Sequence, residues 1–180
     1  MTSMSSTSRR GEPMTKRIVL AVFLSVVLSG CTSVMSNRIV QEDEKIPFPE
    51  LLQKPDRFRG AVVILGGQIV ETVVREKETW VQVLQLPLGW QQQPDHTAAS
   101  QGRFLVVYPR FVDPLIYEKG RKITVGGVVE GGRVITIGGR PYTVPSLLER
   151  ETYLWKPEDY YAGPGSPPAV QFGIGFGIWR

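Results

Sequence analysis

The stretch AVVILGGQIVETVVR, residues 61–75, decides the fold of this 180-residue chain. It is rich in valine and isoleucine, which favour an extended strand because β-branched side chains pack well on a pleated surface. Gly66-Gly67 interrupts the run, and glycines inside a strand mark a sharp bend or a close backbone approach. The stretch therefore predicts a long first strand that bends where two sheets meet.

Further strands follow from alternating hydrophobicity and from turn residues. A turn at Glu76-Lys77 leads into a returning strand over 78–86, with Trp80 on one face and Val81 on the other. Gly131-Gly132 and Gly138-Gly139 are each predicted to turn the chain, because paired glycines adopt positive φ without strain. The remaining strands are predicted over residues 103–108, 122–129, 134–137 and 142–147.

Helix signals are few and local. A short helix is predicted over 113–120, where Asp113 provides a capping side chain and Gly120 a stop. One helical turn is predicted within 47–55, beginning at Pro49. The order strand, strand, strand, short helix, strand, strand predicts an all-β, mainly antiparallel fold: a small OB-like five- to six-stranded barrel. A plain antiparallel sandwich or meander is the alternative.

The N-terminal region has the pattern of a secretory leader. Lys16 and Arg17 precede an uncharged apolar run, 18–28, that is too short to span a bilayer as a helix. Ser29-Gly30 then places small residues directly before Cys31, the single cysteine of the chain. This arrangement resembles the bacterial lipoprotein signal, which implies cleavage before Cys31, a diacylglyceryl thioether on its sulfur and an acylated amino group. A buried structural cysteine and an ordinary signal peptide are the alternatives.

The leader also predicts where translation starts and which membrane holds the mature protein. We expect translation to begin at Met14 rather than at Met1, because Met14 and the Lys16 and Arg17 that follow it already form a complete charged n-region. Thr32 follows the cysteine where an aspartate would retain a lipoprotein in the inner membrane, so analogy with enteric bacteria predicts the outer membrane of a Gram-negative cell. Membrane attachment through the lipid anchor is therefore the first expected interaction.

We predict four segments: a signal peptide over 1–30, a lipidated tether over 31–46, a β-barrel domain over 47–156 and a Pro/Gly-rich linker and tail over 157–180. Four of the 21 Lys and Arg residues and one of the 17 Asp and Glu residues precede Cys31, which leaves 17 basic and 16 acidic residues. Such a balance argues against nucleic-acid binding. With its one thiol acylated, the mature chain has none for a disulfide or a thiolate metal site.

Several separated motifs, in this order, resemble the Slp family of bacterial outer-membrane lipoproteins, and the resemblance extends from the leader to about Trp155. It implies a stress- or starvation-linked envelope lipoprotein with no established catalytic residues and no cofactor. The motifs are GGQI at 66–69, VQVLQLPL at 81–88, GRFL at 102–105, YEKGRKITVGG at 117–127 and YTVP at 142–145.

Candidate site residues are concentrated in the long polar loop over 88–101. Trp90 is the aromatic residue best placed to stack on a sugar, although Trp80 and Trp155 could also contribute. His96, the single histidine, is expected to be a solvated loop residue or a ligand contact, not part of a metal centre. Four carboxylates could in principle perform acid–base chemistry, but their spacing does not make them converge. They are Asp95, Asp113, Glu118 and Glu130.

The last residues alternate bulky apolar side chains with glycine over 171–179, which is the period of a β-strand. An added strand of the domain or a disordered tail is the plain interpretation; self-association or capture of an envelope protein through Phe172 to Trp179 is the alternative. The main hypothesis for the whole chain is a non-enzymatic structural or interaction role. The second is a module that binds glycan, peptidoglycan or a small molecule, and the third is an enzyme that uses loop carboxylates.

Overall fold

Five strands form the framework of the domain. The structure is a computed structural model, and it describes residues 33–156. Helical segments precede the first strand and interrupt the loop after the second. The strands are β1 (Val62–Val74), β2 (Thr79–Leu86), β3 (Arg103–Tyr108), β4 (Lys122–Ile137) and β5 (Arg140–Leu154); the α-helices are α1 (Asn37–Glu42) and α2 (Phe48–Gln53), and the 3₁₀ turns are Pro55–Phe58 and Trp90–Gln92.

The strands close into a barrel in the order β1-β2-β3-β5-β4, with β4 returning to β1. All neighbours are antiparallel except β3 and β5, which run parallel through Leu105 and Ser146. Closure of five strands with this crossover confirms the predicted OB-like barrel and excludes the sandwich and the meander.

β1 pairs with β4 on one side and with β2 on the other, and Gly66 and Gly67 lie in the part of β1 that pairs with both. Residues Val62 to Gln68 pair with β4, and residues Gly66 to Val74 pair with β2. A Cβ at Gly67 would collide with the carbonyl oxygen of Leu84 on β2. The glycine pair thus allows β1 to pass closely between its two neighbours, in keeping with the predicted bend.

The prediction of a turn at Gly131-Gly132 is wrong. β4 continues through both glycines to Ile137, and its register against β5 shifts between Val129 and Gly131. Gly131 has φ +108°, which marks a bulge inside the strand. The hairpin turn is instead made by Gly138 and Gly139, whose φ values are +55° and +80°. A glycine pair meets the requirements of a bulge and of a turn equally well, and the separate strand predicted over 134–137 is the second half of β4.

The predicted helix over 113–120 is also wrong, although Asp113 caps as expected. Its carboxylate accepts the backbone N–H of Leu115 at 2.8 Å, and its carbonyl accepts the N–H of Tyr117 at 2.9 Å. The helix does not continue, because the carbonyl of Tyr117 accepts the hydroxyl of Thr72 at 2.7 Å in place of a helical backbone N–H. The segment is a loop of turns. The helical turn predicted near Pro49 is confirmed as α2, with Leu51 fully buried.

Three apolar clusters hold the domain together, and the third includes α1. The barrel interior contains alternate residues of the strands and is closed at one end by α2, where Phe48 packs edge-on against Phe104 at 6.2 Å. A second, smaller cluster lies where the far half of the β4–β5 hairpin packs on β3. Its buried members are Leu105, Val107, Ile135 and Val144.

The segment predicted as a tether is partly folded. From Ser33 onward it lies on the barrel, and α1 buries Ile39 against Gly126, where a Cβ would collide with Ile39. Met35, two residues before α1, and Ile39 within it are both buried, together with Ile64 of β1. No helix within residues 33–156 is long and apolar enough to cross a membrane. The predicted leader 1–30, Cys31, the linker 157–180 and the strand 171–179 fall outside the described residues.

Candidate functional site

The long loop between β2 and β3 makes a compact turn. Leu88 and Pro94 form an isolated bridge, and the N–H of Gly89 donates to the carbonyl of Gln93 at 2.8 Å. Gln91 and Gln92, at the tip, have φ values of 53° and 62°, which are unusual for residues other than glycine. Strained backbone of this kind persists only where surrounding contacts hold it.

Gln92 supplies those contacts. Its side-chain oxygen accepts the hydroxyl of Ser33 at 2.6 Å and the N–H of Met35 at 3.2 Å. Its backbone carbonyl accepts the hydroxyl of Thr124 on β4 at 2.8 Å. The loop therefore joins the first described residues of the chain to the outer face of β4.

The three candidate tryptophans have different surroundings. Trp90 stands at the start of the 3₁₀ turn with 64% of its surface exposed. Trp155 is buried and donates its indole N–H to Thr124 at 2.9 Å. Trp80 donates to Glu78 at 2.6 Å and lies beneath the guanidinium of Arg75, 3.9 Å from the ring centre. Of these three tryptophans, Trp90 alone is exposed.

His96 lies apart from any metal-binding arrangement. Its Nδ1 is 3.2 Å from Nζ of Lys122, at the start of β4. Burial lowers the pKa of Lys122, and the nearby Asp95 carboxylate partly opposes this effect. Asp95 accepts the hydroxyl and the N–H of Thr97 at 2.7 and 2.8 Å, and these bonds lower its own pKa. Among residues 33–156 no group of three or more His, Cys, Asp and Glu residues is placed to hold a metal ion.

A pocket of about 240 Å³ lies at the two ends of the same loop. Its lining residues are apolar apart from Gln85 and Gln101. The backbone N–H of Gln101 donates to the side-chain oxygen of Gln85 at 3.2 Å. Trp90 and His96 do not line it. The lining residues are Ile46, Phe48, Ile64, Leu65, Gly66, Gln85, Leu86, Pro87, Leu88 and Gln101.

The candidate carboxylates do not form a catalytic pair. Asp95 and Asp113 each cap the turn that follows them. Glu130 accepts from Arg133 at 3.1 Å and from Ser146 at 3.0 Å. Three of the four are thus engaged in local structure, and Glu118 lies exposed in the loop before β4.

Two features escape prediction from the sequence. A hydrogen-bonded chain at one end of the barrel links Tyr108, Thr152 and Glu149. The loop over 109–121 exposes Phe111, Leu115 and Ile116, which the incorrect helix prediction left without a role. Large apolar residues in a segment with no helical or strand periodicity are the signal that could have drawn attention to this loop.

A small barrel that carries a lipoprotein-type cysteine before its first packed residue defines a class: an envelope lipoprotein with an OB-like domain. The model of the outer membrane lipoprotein Slp family matches residues 28–177. The chain belongs to this family. It is 27% identical to the outer membrane protein Slp of Escherichia coli K12 over 138 residues, which is 76% of this chain and 73% of that protein.

A second relative is an uncharacterized protein of Haemophilus influenzae, 34% identical over 119 residues, which is 66% of this chain and 64% of that protein. The family and the Escherichia coli relative place the chain at the outer membrane of a Gram-negative bacterium, as predicted.

Solved structures of single-stranded DNA-binding proteins also match. The mitochondrial protein Rim1 of S. cerevisiae has 15% identity and a TM-score of 0.33, covering 54% of this chain and 96% of Rim1. A small protein of Streptomyces coelicolor has 14% identity and a TM-score of 0.37, covering 53% of this chain and 94% of that protein. Nothing about the ligand of this chain follows from these scores.

Proposed function

We propose that the mature protein is anchored in the outer membrane by acylated Cys31 and that its barrel has a non-enzymatic structural or interaction role in the envelope. The observation that carries the anchor is the extent of the family match, which begins at Leu28 and so includes Ser29-Gly30-Cys31. Three acyl chains on one residue bind a bilayer far more firmly than one, whose attachment alone is marginal.

The anchor is tested by growing cells with an alkyne-bearing fatty acid and isolating the protein. The wild-type chain should carry the label, and intact-mass spectrometry should show the loss of residues before Cys31. Cys31→Ser should lose the label and keep its leader, whereas Ser33→Ala, a nearby control, should match wild type. A mature wild-type protein with a free thiol would contradict the anchor.

The non-enzymatic role is supported by the local engagement of Asp95, Asp113 and Glu130. The family resemblance further suggests that synthesis rises under stress or starvation. Comparing protein abundance in growing and carbon-starved cells tests that link. A constant abundance would remove it.

A second candidate function, binding of glycan, peptidoglycan or a small molecule in the periplasm, is favoured by the pocket at the loop ends. Gln101 is exposed at its edge, so Gln101→Trp should narrow the pocket without disturbing the core. Thermal-shift screening with peptidoglycan fragments and fatty acids tests this function. A shift lost in Gln101→Trp places the ligand in the pocket, whereas one lost in Trp90→Ala places it on the exposed ring. No shift with any compound would contradict the candidate.

The C-terminal segment gives a third line of inquiry. Its alternation over 171–179 supports pairing with an envelope protein or with a second copy. Deleting residues 170–180 should then change the crosslinked species recovered from intact cells. An unchanged crosslinking pattern would contradict the pairing.

A further inference from the structure

The loop between β3 and β4, residues 109–121, presents three large apolar side chains to solvent. Leu115 is 84% exposed, Phe111 68% and Ile116 50%. They fall within six residues of one another, and monomeric proteins expose neighbouring apolar groups of this size mainly where something binds.

The loop that carries them is held in place. Asp113 caps its first turn, Arg121 donates to the carbonyl of Ile116 at 2.8 Å, and the ring of Tyr117 packs edge-on against Tyr108 at 5.2 Å. Because the backbone is fixed on both sides, Leu115 and Ile116 are displayed by the fold.

The N-terminal segment runs toward this loop. Ile39 lies over Gly126 of β4, and Ser33, six residues earlier, is joined through Gln92 to Thr124. The segment thus moves toward the start of β4 as its own residue numbers fall. Arg121, which holds the loop at Ile116, is three residues before Thr124, about 10 Å along a strand.

The next step rests on the proposed acylation of Cys31. Only Thr32 separates Cys31 from Ser33, and two residues of extended chain reach about 7 Å. Ser33, and with it the Gln92 turn that carries exposed Trp90, would then stand next to the bilayer. Tryptophan favours the membrane–water interface, since its ring is apolar and its N–H remains polar.

We propose that the loop over 109–121, with Phe111, Leu115 and Ile116, and the turn bearing Trp90 together dock the barrel on a phospholipid surface. The apolar side chains enter the boundary between headgroups and acyl chains, where their burial is favourable. Lys119, an exposed cation in the same loop, can meet lipid phosphates from the headgroup layer. The barrel then lies on the membrane in one orientation.

The test uses the full protein, purified from membranes and reconstituted in vesicles of phosphatidylethanolamine and phosphatidylglycerol. In the acylated protein the sulfur of Cys31 is blocked, so Leu115→Cys provides one thiol for an environment-sensitive fluorophore. The same label on Thr136→Cys, an exposed position near the far end of β4, is the matched control. Emission at position 115 should rise about twofold on reconstitution and be quenched by brominated lipids, because the probe enters the interface. The label at position 136 should not respond.

A second variant separates docking from simple tethering. Adding Phe111→Ser and Ile116→Ser to the labelled Leu115→Cys chain should remove the response, and both side chains are exposed, so the fold should survive. A probe at position 115 that stays as water-exposed as the one at 136 overturns the proposal. So does a probe that is shielded in detergent by a second copy of the chain, detected by light scattering.

Mass spectrometry of the same sample keeps the two proposals apart. An acylated protein with a water-exposed probe contradicts docking alone. A protein without acyl groups contradicts the anchor, and docking is then measured in a Cys31→Ser background, where position 115 again holds the single thiol.

Discussion

Arg110 donates a hydrogen bond from each terminal nitrogen to the carboxylate of Glu149, at 2.7 and 3.1 Å. The pair connects the end of β3 to the middle of β5. The carboxylate side chain is 5% exposed and the guanidinium side chain 52%. Hydrogen bonding to the carboxylate raises the pKa of Arg110. Glu149 also accepts the hydroxyl of Thr152 at 3.1 Å, which leaves the oxygen of Thr152 to accept a hydrogen bond from Tyr108.

Arg110→Met should lower the free energy of unfolding by about 2 kcal/mol, because it leaves a buried carboxylate without its charged partner. Arg38→Met is the matched control, since Arg38 also bonds a glutamate, Glu42, but is 82% exposed. The control should cost less than about 1 kcal/mol. Urea unfolding followed by tryptophan fluorescence measures both values, and equal losses would contradict the structural importance of the buried pair.

The stability of the barrel should fall as pH rises above about 10, the ordinary pKa of tyrosine. Burial raises the pKa of Tyr108 well above that value, so the unfolded chain loses this proton while the folded chain keeps it. Stability is therefore complete below pH 10 and decreases above it, by up to about 1.4 kcal/mol per pH unit for one group.

Urea unfolding from pH 8 to 11.5 measures this decrease. Tyr108→Phe should weaken the pH dependence without abolishing it, since burial also raises the pKa of Tyr117. If Tyr108→Phe leaves the slope unchanged, Tyr108 is not the titrating group.

Gly67→Ala should be among the most damaging substitutions of a small residue. Its Cβ would meet the backbone oxygen of Leu84, which belongs to β2 and cannot swing aside. We expect a loss of about 3 kcal/mol or more, the upper range for overpacking. Gly89→Ala has ordinary space around it, with the carbonyl of Gln93 3.6 Å away, and should change stability little. Thermal unfolding of the two variants measures the difference in stability between them. Similar melting temperatures would mean that β1 and β2 do not approach so closely.

Ile39→Asp should release α1 from the barrel, because it places a charge against Gly126 and Ile64 in an apolar contact. Trypsin cleavage after the adjacent Arg38 should then accelerate at least about tenfold, since proteolysis follows the population of the open segment. Gln41→Asp, on the exposed side of the same helix, should leave the rate near wild type. Fast cleavage of the unmodified chain at Arg38 would show that this segment is a free tether after all.

The barrel itself could be predicted because its strands carry local signals. The strand predicted over 103–108 matches β3 residue for residue, and the turn at Glu76-Lys77 is confirmed by the hydrogen bond between Arg75 and Glu78. Gly131-Gly132 could not be assigned correctly, because what distinguishes a bulge from a turn is the partner strand. α1 could not be predicted because it has only six residues, of which Ile39 alone is buried, and one buried residue gives no periodicity.

The candidate site depends more on contacts that are distant in sequence. Trp90 is exposed, as its loop position suggested, and His96 lies in the loop as expected, but its neighbour Lys122 is 26 residues away. Gln92 had no distinguishing pattern among its neighbouring glutamines, yet it joins Ser33 to Thr124. Which glutamine occupies that position is decided by the closed barrel, through the register of β4.

The parallel contact between β3 and β5 also constrains when the barrel can close during synthesis of the chain. Among the strands within residues 33–156, β5 is the last to be synthesised, and Leu105 cannot pair with its neighbour Ser146 until β5 has left the ribosome. Pairings so far apart in sequence form slowly. A nascent chain that must cross a membrane gains from that delay, since an open precursor can be threaded through an export channel and a finished cylinder cannot.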